Sequence, residues 1–210
     1  MASWATDTAL RTGRAVQAAR KRRGWTAERL SKEAAALGYP IHRVAIGKLE
    51  NGHRGAKFDI SELFVLAKCL GVPPSSLVFP LADVAEVEVL PGVRTTPRAA
   101  AEWLGGYTAF RYYNEAGEFV ADREEFKVGA AVLIALRDEE EQRGQLLDAL
   151  SLRDRYTVEK GAQHSETLVV AHAVRVTGER LRDVRTELRV LGHEPPALPA
   201  ELAYIDEEES

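Results

Sequence analysis

Apolar positions recur at helical spacing over most of the chain, and the breaks between the runs carry capping residues. From about Ala9 to Arg23, Leu10, Val16 and Ala19, with Ala15 or Arg14, predict a first helix. Arg20-Lys21-Arg22-Arg23-Gly24 ends it, because cations suit the negative pole of a helix and glycine suits the position just past it. Residues 1–8 read as a leader, with Asp7 or Thr8 as a cap. Leu30, Ala34 and Leu37 share one face of a second helix that Thr26 can cap. Gly38-Tyr39-Pro40 interrupts the chain. A third helix starts at Ile41 or His42. Its inward side is Val44 or Ala45 with Ile46 and Leu49, and its outward side offers His42, Arg43, Gly47 and Lys48 before the stop at Asn51-Gly52. Asp59 or Ser61 caps a fourth helix with a Leu63, Leu66, Ala67, Leu70 stripe. Gly71-Val72-Pro73-Pro74 ends it, and a short fifth helix closes at Phe79 before Pro80.

The pattern then changes. Val84, Val87 and Val89 interleave with Glu86 and Glu88, which predicts an edge strand or an extended linker. Pro97 to Leu104 reads as a short helix anchored by Trp103, and residues 109–121 as a hairpin about Asn114-Glu115-Ala116-Gly117. Phe110, Tyr112, Tyr113 and Phe119 in that hairpin suit a small core better than a base-stacking surface, because the surrounding charge is not basic. A long helix is predicted from about Asp122 to Arg155, with apolar residues all round between Ala130 and Leu136 and a break near Gly144. A second runs from Ser165 to Leu191, where Val170, Val174, Thr177, Leu181, Val184, Leu188 and Leu191 trace a helix-helix seam. These two form an antiparallel hairpin, within one chain or across a dimer. AYIDEEES at the end reads as a solvated acidic tail, with Tyr204 and Ile205 able to dock on a partner. The whole is mainly α, divided as 1–80, a linker 81–125, a helical hairpin 126–193 and an acidic tail 194–210.

Charge sharpens this division. The net charge is −4, but residues 1–58 hold 12 Lys and Arg against 4 Asp and Glu, and the remainder holds 16 against 28. A basic end on an acidic chain points to a nucleic-acid-binding end. At 45% hydrophobic and 29% charged, without an 18-residue apolar run or an apolar leader, the composition is that of a cytoplasmic globular protein rather than a membrane or exported one. The single cysteine, Cys69, fits a reducing compartment and reads as an inert buried thiol.

Three segments, RAVQAARKRRGWTAERLS, IHRVAIGKLENG and ELFVLAKCLGVPPSSLV, resemble the Cro/cI-type helix-turn-helix family (XRE) of bacterial and bacteriophage regulators over about residues 12–79. The chain departs from the family in its turn, where AAALGYP replaces a shorter connection, and at Ala27, where the family often has Gln. The resemblance implies a five-helix, lambda-repressor-like domain whose helix from His42 to Asn51 enters the major groove of double-stranded DNA. Arg43 is then the leading base contact, since its guanidinium can bridge guanine O6 and N7. His42 would act near the helix start, Val44 or Ala45 would meet a thymine methyl, and Gly47 would permit close approach. Lys48 and Asn51, the Thr26, Ala27, Glu28 helix start, and the basic loop His53, Arg54, Lys57 would face phosphate.

Nothing catalytic competes with this reading. His42, His53, His164, His172 and His193 are scattered, no phosphate-cradling glycine loop or nucleophile elbow occurs, and no metal site or cofactor is expected. The expected function is a sequence-specific transcriptional regulator, most simply a repressor of the bacterial or bacteriophage immunity type, self-associating as a homodimer through residues 126–191. The alternative is an antitoxin or adaptor whose C-terminal region binds a partner protein. A small-molecule pocket within residues 82–191 is open, with no residue set naming its ligand.

Overall fold

Ser3 starts the first helix earlier than the spacing suggests. Its backbone is extended and its hydroxyl accepts the Thr6 N–H at 3.3 Å, so residues 4–8 of the stretch read as a leader belong to the opening turns of α1 (Trp4–Arg22), residues 1–2 lying outside those described. The computed structural model describes residues 3–81, 85–114 and 116–207. Val84, Glu115 and residues 208–210, to which the strand, turn and tail readings extended, lie outside them.

Four further helices follow: α2 (Ala27–Ala36), α3 (Arg43–Glu50), α4 (Ile60–Leu70) and α5 (Pro74–Val78). Val16, Leu30, Ile46, Leu66 and Leu77 are fully buried between them, each contributing about 1.5–3 kcal/mol through lost apolar exposure. Cys69 lies half-buried against this core, and burial pushes its thiol pKa up. Helix α1 lies on α3 at Gly13, where an added Cβ would stand 2.1 Å from the Leu49 carbonyl oxygen. Only glycine permits that approach.

Where a linker was expected, residues 87–121 are packed. Strand β1 (Val87–Leu90) pairs antiparallel with β2 (Val93–Thr95), α6 (Pro97–Leu104) follows, and β3 (Arg111–Tyr113) pairs antiparallel with β4 (Phe119–Ala121). Phe79, Val87, Val89, Ala100 and Phe110 form a core there, and Val78 touches both this core and that of the helices. The first compact unit therefore spans residues 1–124, because Phe79 binds the two parts of its sequence together. The aromatic residues split by exposure: Phe110 is buried against Trp103 and Tyr112, while Tyr113 and Phe119 are exposed.

The second unit, residues 125–210, is built on α7 (Arg123–Lys160) and α8 (Ser165–Val190). Helix α7 runs through Gly144 without a break; one glycine costs about 1 kcal/mol, too little to interrupt a helix anchored by fully buried Leu146. Of the apolar stretch 130–136 only Ala135 is buried, so the expected burial on several sides is not met. An ion pair between Glu139 and Arg185 sets the antiparallel register of the two helices. The tail reading is also corrected. Residues Ala200–Ile205 form a 3-10 helix that buries Leu202 and Ile205 against Leu146 and Leu181. Ile205 fits there because Gly178 on α8 presents no side chain, its Cβ position lying 3.5 Å from the Ile205 Cδ1. Asp206 then accepts from Arg185 at 2.6 Å and Arg189 at 2.7 Å. No helix among the described residues is long and apolar enough to cross a membrane.

Candidate nucleic-acid interface

Thr26 and His42 cap the two central helices. The Thr26 hydroxyl accepts the Arg29 N–H at 3.1 Å, and His42 Nδ1 accepts the Val44 N–H at 3.3 Å. His42 is thus the N-cap of α3 rather than part of it, and its Nε2 is the nitrogen left to reach outward. Asn51 is the C-cap, its side-chain amide donating to the Gly47 carbonyl at 2.8 Å. The long turn between the helices is held by Gly38 in the left-handed region, by buried Ile41, and by the Ser31 hydroxyl donating to the Ile41 carbonyl at 2.6 Å. Leu37, assigned to the inward face by spacing, lies past the helix end and is half exposed.

Helix α3 presents Ile46, Leu49 and Glu50 to the core and leaves His42, Arg43, Val44 and Lys48 exposed. Val44 therefore belongs to the outer face, and Ala45 sits half-buried at its edge. Gly47 lies on the outer face one turn beyond Arg43, with open space where a Cβ would project. On α2, Ala27 packs on the core and offers only its backbone, while Glu28 is exposed. The hydrogen bond from Lys32 holds the Glu28 carboxyl below its ordinary value, and nearby Arg43 lowers it further.

The basic residues of the N-terminal segment divide into two sets. Arg20 is folded inward: it donates to both carboxylate oxygens of buried Glu50, at 2.7 and 2.6 Å, and to the Trp25 carbonyl at 2.6 Å. Arg23 donates to the Leu70 carbonyl at 2.8 Å and stacks over Trp25, 4.5 Å from the ring centre. Arg54 forks onto Glu62 of α4, so it fixes the loop after α3 to the domain instead of standing free for phosphate. The side chains of Arg43, Lys48 and Lys57 make no hydrogen bond or ion pair among the described residues, and all three are exposed, as is His53 in the same loop. The pairs that sequence reasoning missed, Arg20 with Glu50 and Arg54 with Glu62, are the structural ties. A carboxylate on the buried face of α3 was the one available signal, since a buried charge needs a partner.

Residues 16–77 match the family model described as Helix-turn-helix. No curated protein and no solved structure matches the chain. The matched segment is a Cro/cI-type helix-turn-helix domain, and through it the protein is a DNA-binding transcriptional regulator.

Proposed function

We propose that the protein is a sequence-specific repressor, cytoplasmic, that lays α3 in the major groove as a homodimer. One observation carries the reading: the outward face of α3 holds Arg43, Val44 and Lys48 exposed, and Arg43 and Lys48 are unpaired, while neighbouring Arg20, Arg23 and Arg54 are committed to the fold. An unpaired guanidinium on a short exposed helix is equipped for the bidentate guanine contact that reads sequence. Lys48, Lys57 and the amides at the start of α2 supply phosphate contacts that fix register. Asn51 contributes less than its position suggests, because its amide already bonds Gly47. Repression needs nothing beyond occupancy of the site, which makes it the simplest output of such a domain.

Self-association is assigned to residues 126–191. The hairpin of α7 and α8 has a small core, and Val158, Val169 and Val190 stand more than two-thirds exposed on it. These residues serve equally a second copy or a foreign protein, and the antitoxin or adaptor reading is the second of these. Selection of bound duplexes from a random library, followed by titration of the best site at several salt concentrations, tests the function. A defined motif with affinity falling steeply with salt supports it, since each phosphate contact releases counterions. Two half-sites about one helical turn apart identify the dimer. Absence of any enriched sequence, with a stoichiometric foreign protein co-purifying, would overturn it in favour of the adaptor.

A further inference from the structure

Beside the helix-turn-helix core, β2, α6, β3 and β4 enclose an open groove of about 340 Å³ that the DNA-binding reading does not use. Its polar wall is arginine. Glu102 lies between two guanidiniums, accepting from Arg98 at 2.7 Å and from Arg111 at 2.9 Å, and Arg94 stands 3.5 Å from Glu86. Both Glu102 oxygens are satisfied by these pairs, whereas each guanidinium retains further N–H donors, because five are available on every arginine. Three cations against two carboxylates leave the groove with a surplus of one positive charge. Its lining is also aromatic and uncovered: Tyr113 is 68% and Phe119 54% exposed, with ring centres 5.7 Å apart edge to face. Tyr112 also lines the groove and is held by stacking on buried Phe110.

We infer that this groove binds a small planar aromatic acid, its single carboxylate on the Arg94, Arg98 and Arg111 donors and its ring against Tyr113 and Phe119. Volume, charge and shape agree. Small-molecule sites measure about 300–1,000 Å³, which puts this groove at the scale of a one- or two-ring compound. A surplus of one charge matches a monoanion. Guanidinium forks recognise carboxylates, and exposed aromatic rings take a planar partner by offset or edge contact. A nucleic-acid strand fits less well: it carries a phosphate at each nucleotide, and a groove that tracks one is uniformly positive, whereas Glu86 and Glu102 stand inside this one. The inference concerns ligand binding alone and holds or fails apart from the DNA reading.

Calorimetric titration of the full-length protein without DNA tests it, using indole-3-acetate and benzoate as probes, with indole-3-ethanol as the uncharged counterpart and a single-stranded oligothymidylate as the nucleic-acid control. The expected result is one-to-one binding of at least one acid, at least about tenfold weaker binding of the uncharged compound, and a similar loss in both Arg98→Gln and Phe119→Ser. Both substituted side chains are mostly exposed, so the variants keep the wild-type melting curve. Four results would overturn the proposal: no binding of either acid at millimolar concentration, equal binding of the uncharged compound, insensitivity to both variants, or variant-sensitive binding of the oligonucleotide in place of the acids.

Discussion

Gly47→Ala separates stability from DNA binding at one position. Gly47 lies inside α3, is absent from the glycines with positive φ, and has nothing within 4 Å of where a Cβ would stand. Alanine is therefore accepted without strain, and the substitution removes the entropic cost of glycine in a helix. The gain is about 0.5–1 kcal/mol, because glycine is worse than alanine by that much in a helix interior. For a unit of this size it raises the melting temperature by roughly 2–4 °C. The effect on DNA has the opposite sign. Gly47 shares the outer face with Arg43, and a methyl group there holds the helix away from the groove floor, lengthening the Arg43 contact. Affinity for the selected site should fall at least about tenfold, or about 1.4 kcal/mol. Calorimetric melting measures the first effect and anisotropy titration of labelled duplex the second. Unchanged affinity in a stabilised variant would refute the placement of this face against DNA, and a lower melting temperature would refute the reading of Gly47 as an unstrained helical residue.

Other substitutions test other joints of the account. Arg43→Ala should lose about 1–3 kcal/mol of affinity and relax base preference at one position of the site, as read by titration against a panel of single-base variants. Gly13→Ala should abolish the close approach of α1 to α3, since the Leu49 carbonyl would stand 2.1 Å from the new Cβ, and urea unfolding should show losses far beyond the small helix-propensity gain. Glu50→Gln keeps the shape of the side chain but leaves the Arg20 guanidinium buried without its counter-charge; a loss of about 3 kcal/mol in denaturant unfolding is expected, the lower end for a broken buried pair. Acid should weaken the second unit. Arg185, with Arg189, holds the Asp206 carboxyl at about 2, below its ordinary 3.8, so its contribution is complete above about pH 4 and is lost as pH falls through 2. Discounted for a side chain one-third open to solvent, the contribution is about 1 kcal/mol, and Asp206→Asn should show that loss already at neutral pH in a pH series of unfolding curves.

The helix-turn-helix domain was legible because its signals are local. Thr26 caps the helix it precedes, Asp59 caps the fourth helix, and Gly71 stands left-handed where that helix ends. The start of α1 was missed because a serine two residues from the chain's first residue carries little periodicity behind it. What joins residues distant in sequence was not legible. The Pro97–Leu104 helix and the 109–121 hairpin were read from the chain, but the core they share with Phe79 was not, and the three-residue strand Val93–Thr95 is too short for alternation to declare it. Ile205 read as part of an acidic end because the notch that receives it is opened by Gly178, a residue whose role is visible only once α8 and the 3-10 helix are together. At the interface, the spacing placed Arg43, Gly47 and Lys48 on the outer face, as the structure has them. It could not tell the free Arg43 from the engaged Arg54, since that depends on which carboxylate each arginine meets in three dimensions.

Guanine methylation interference on the selected DNA site, run with wild-type protein and with Arg43→Ala, shows whether α3 reads the major groove. N7 methylation blocks the major-groove edge alone. If α3 reads that edge through Arg43, methylation of a guanine in each half-site should abolish wild-type binding, and the variant should lose its sensitivity at that guanine. No interference at any guanine of the site, or an identical pattern for the two proteins, would contradict the account.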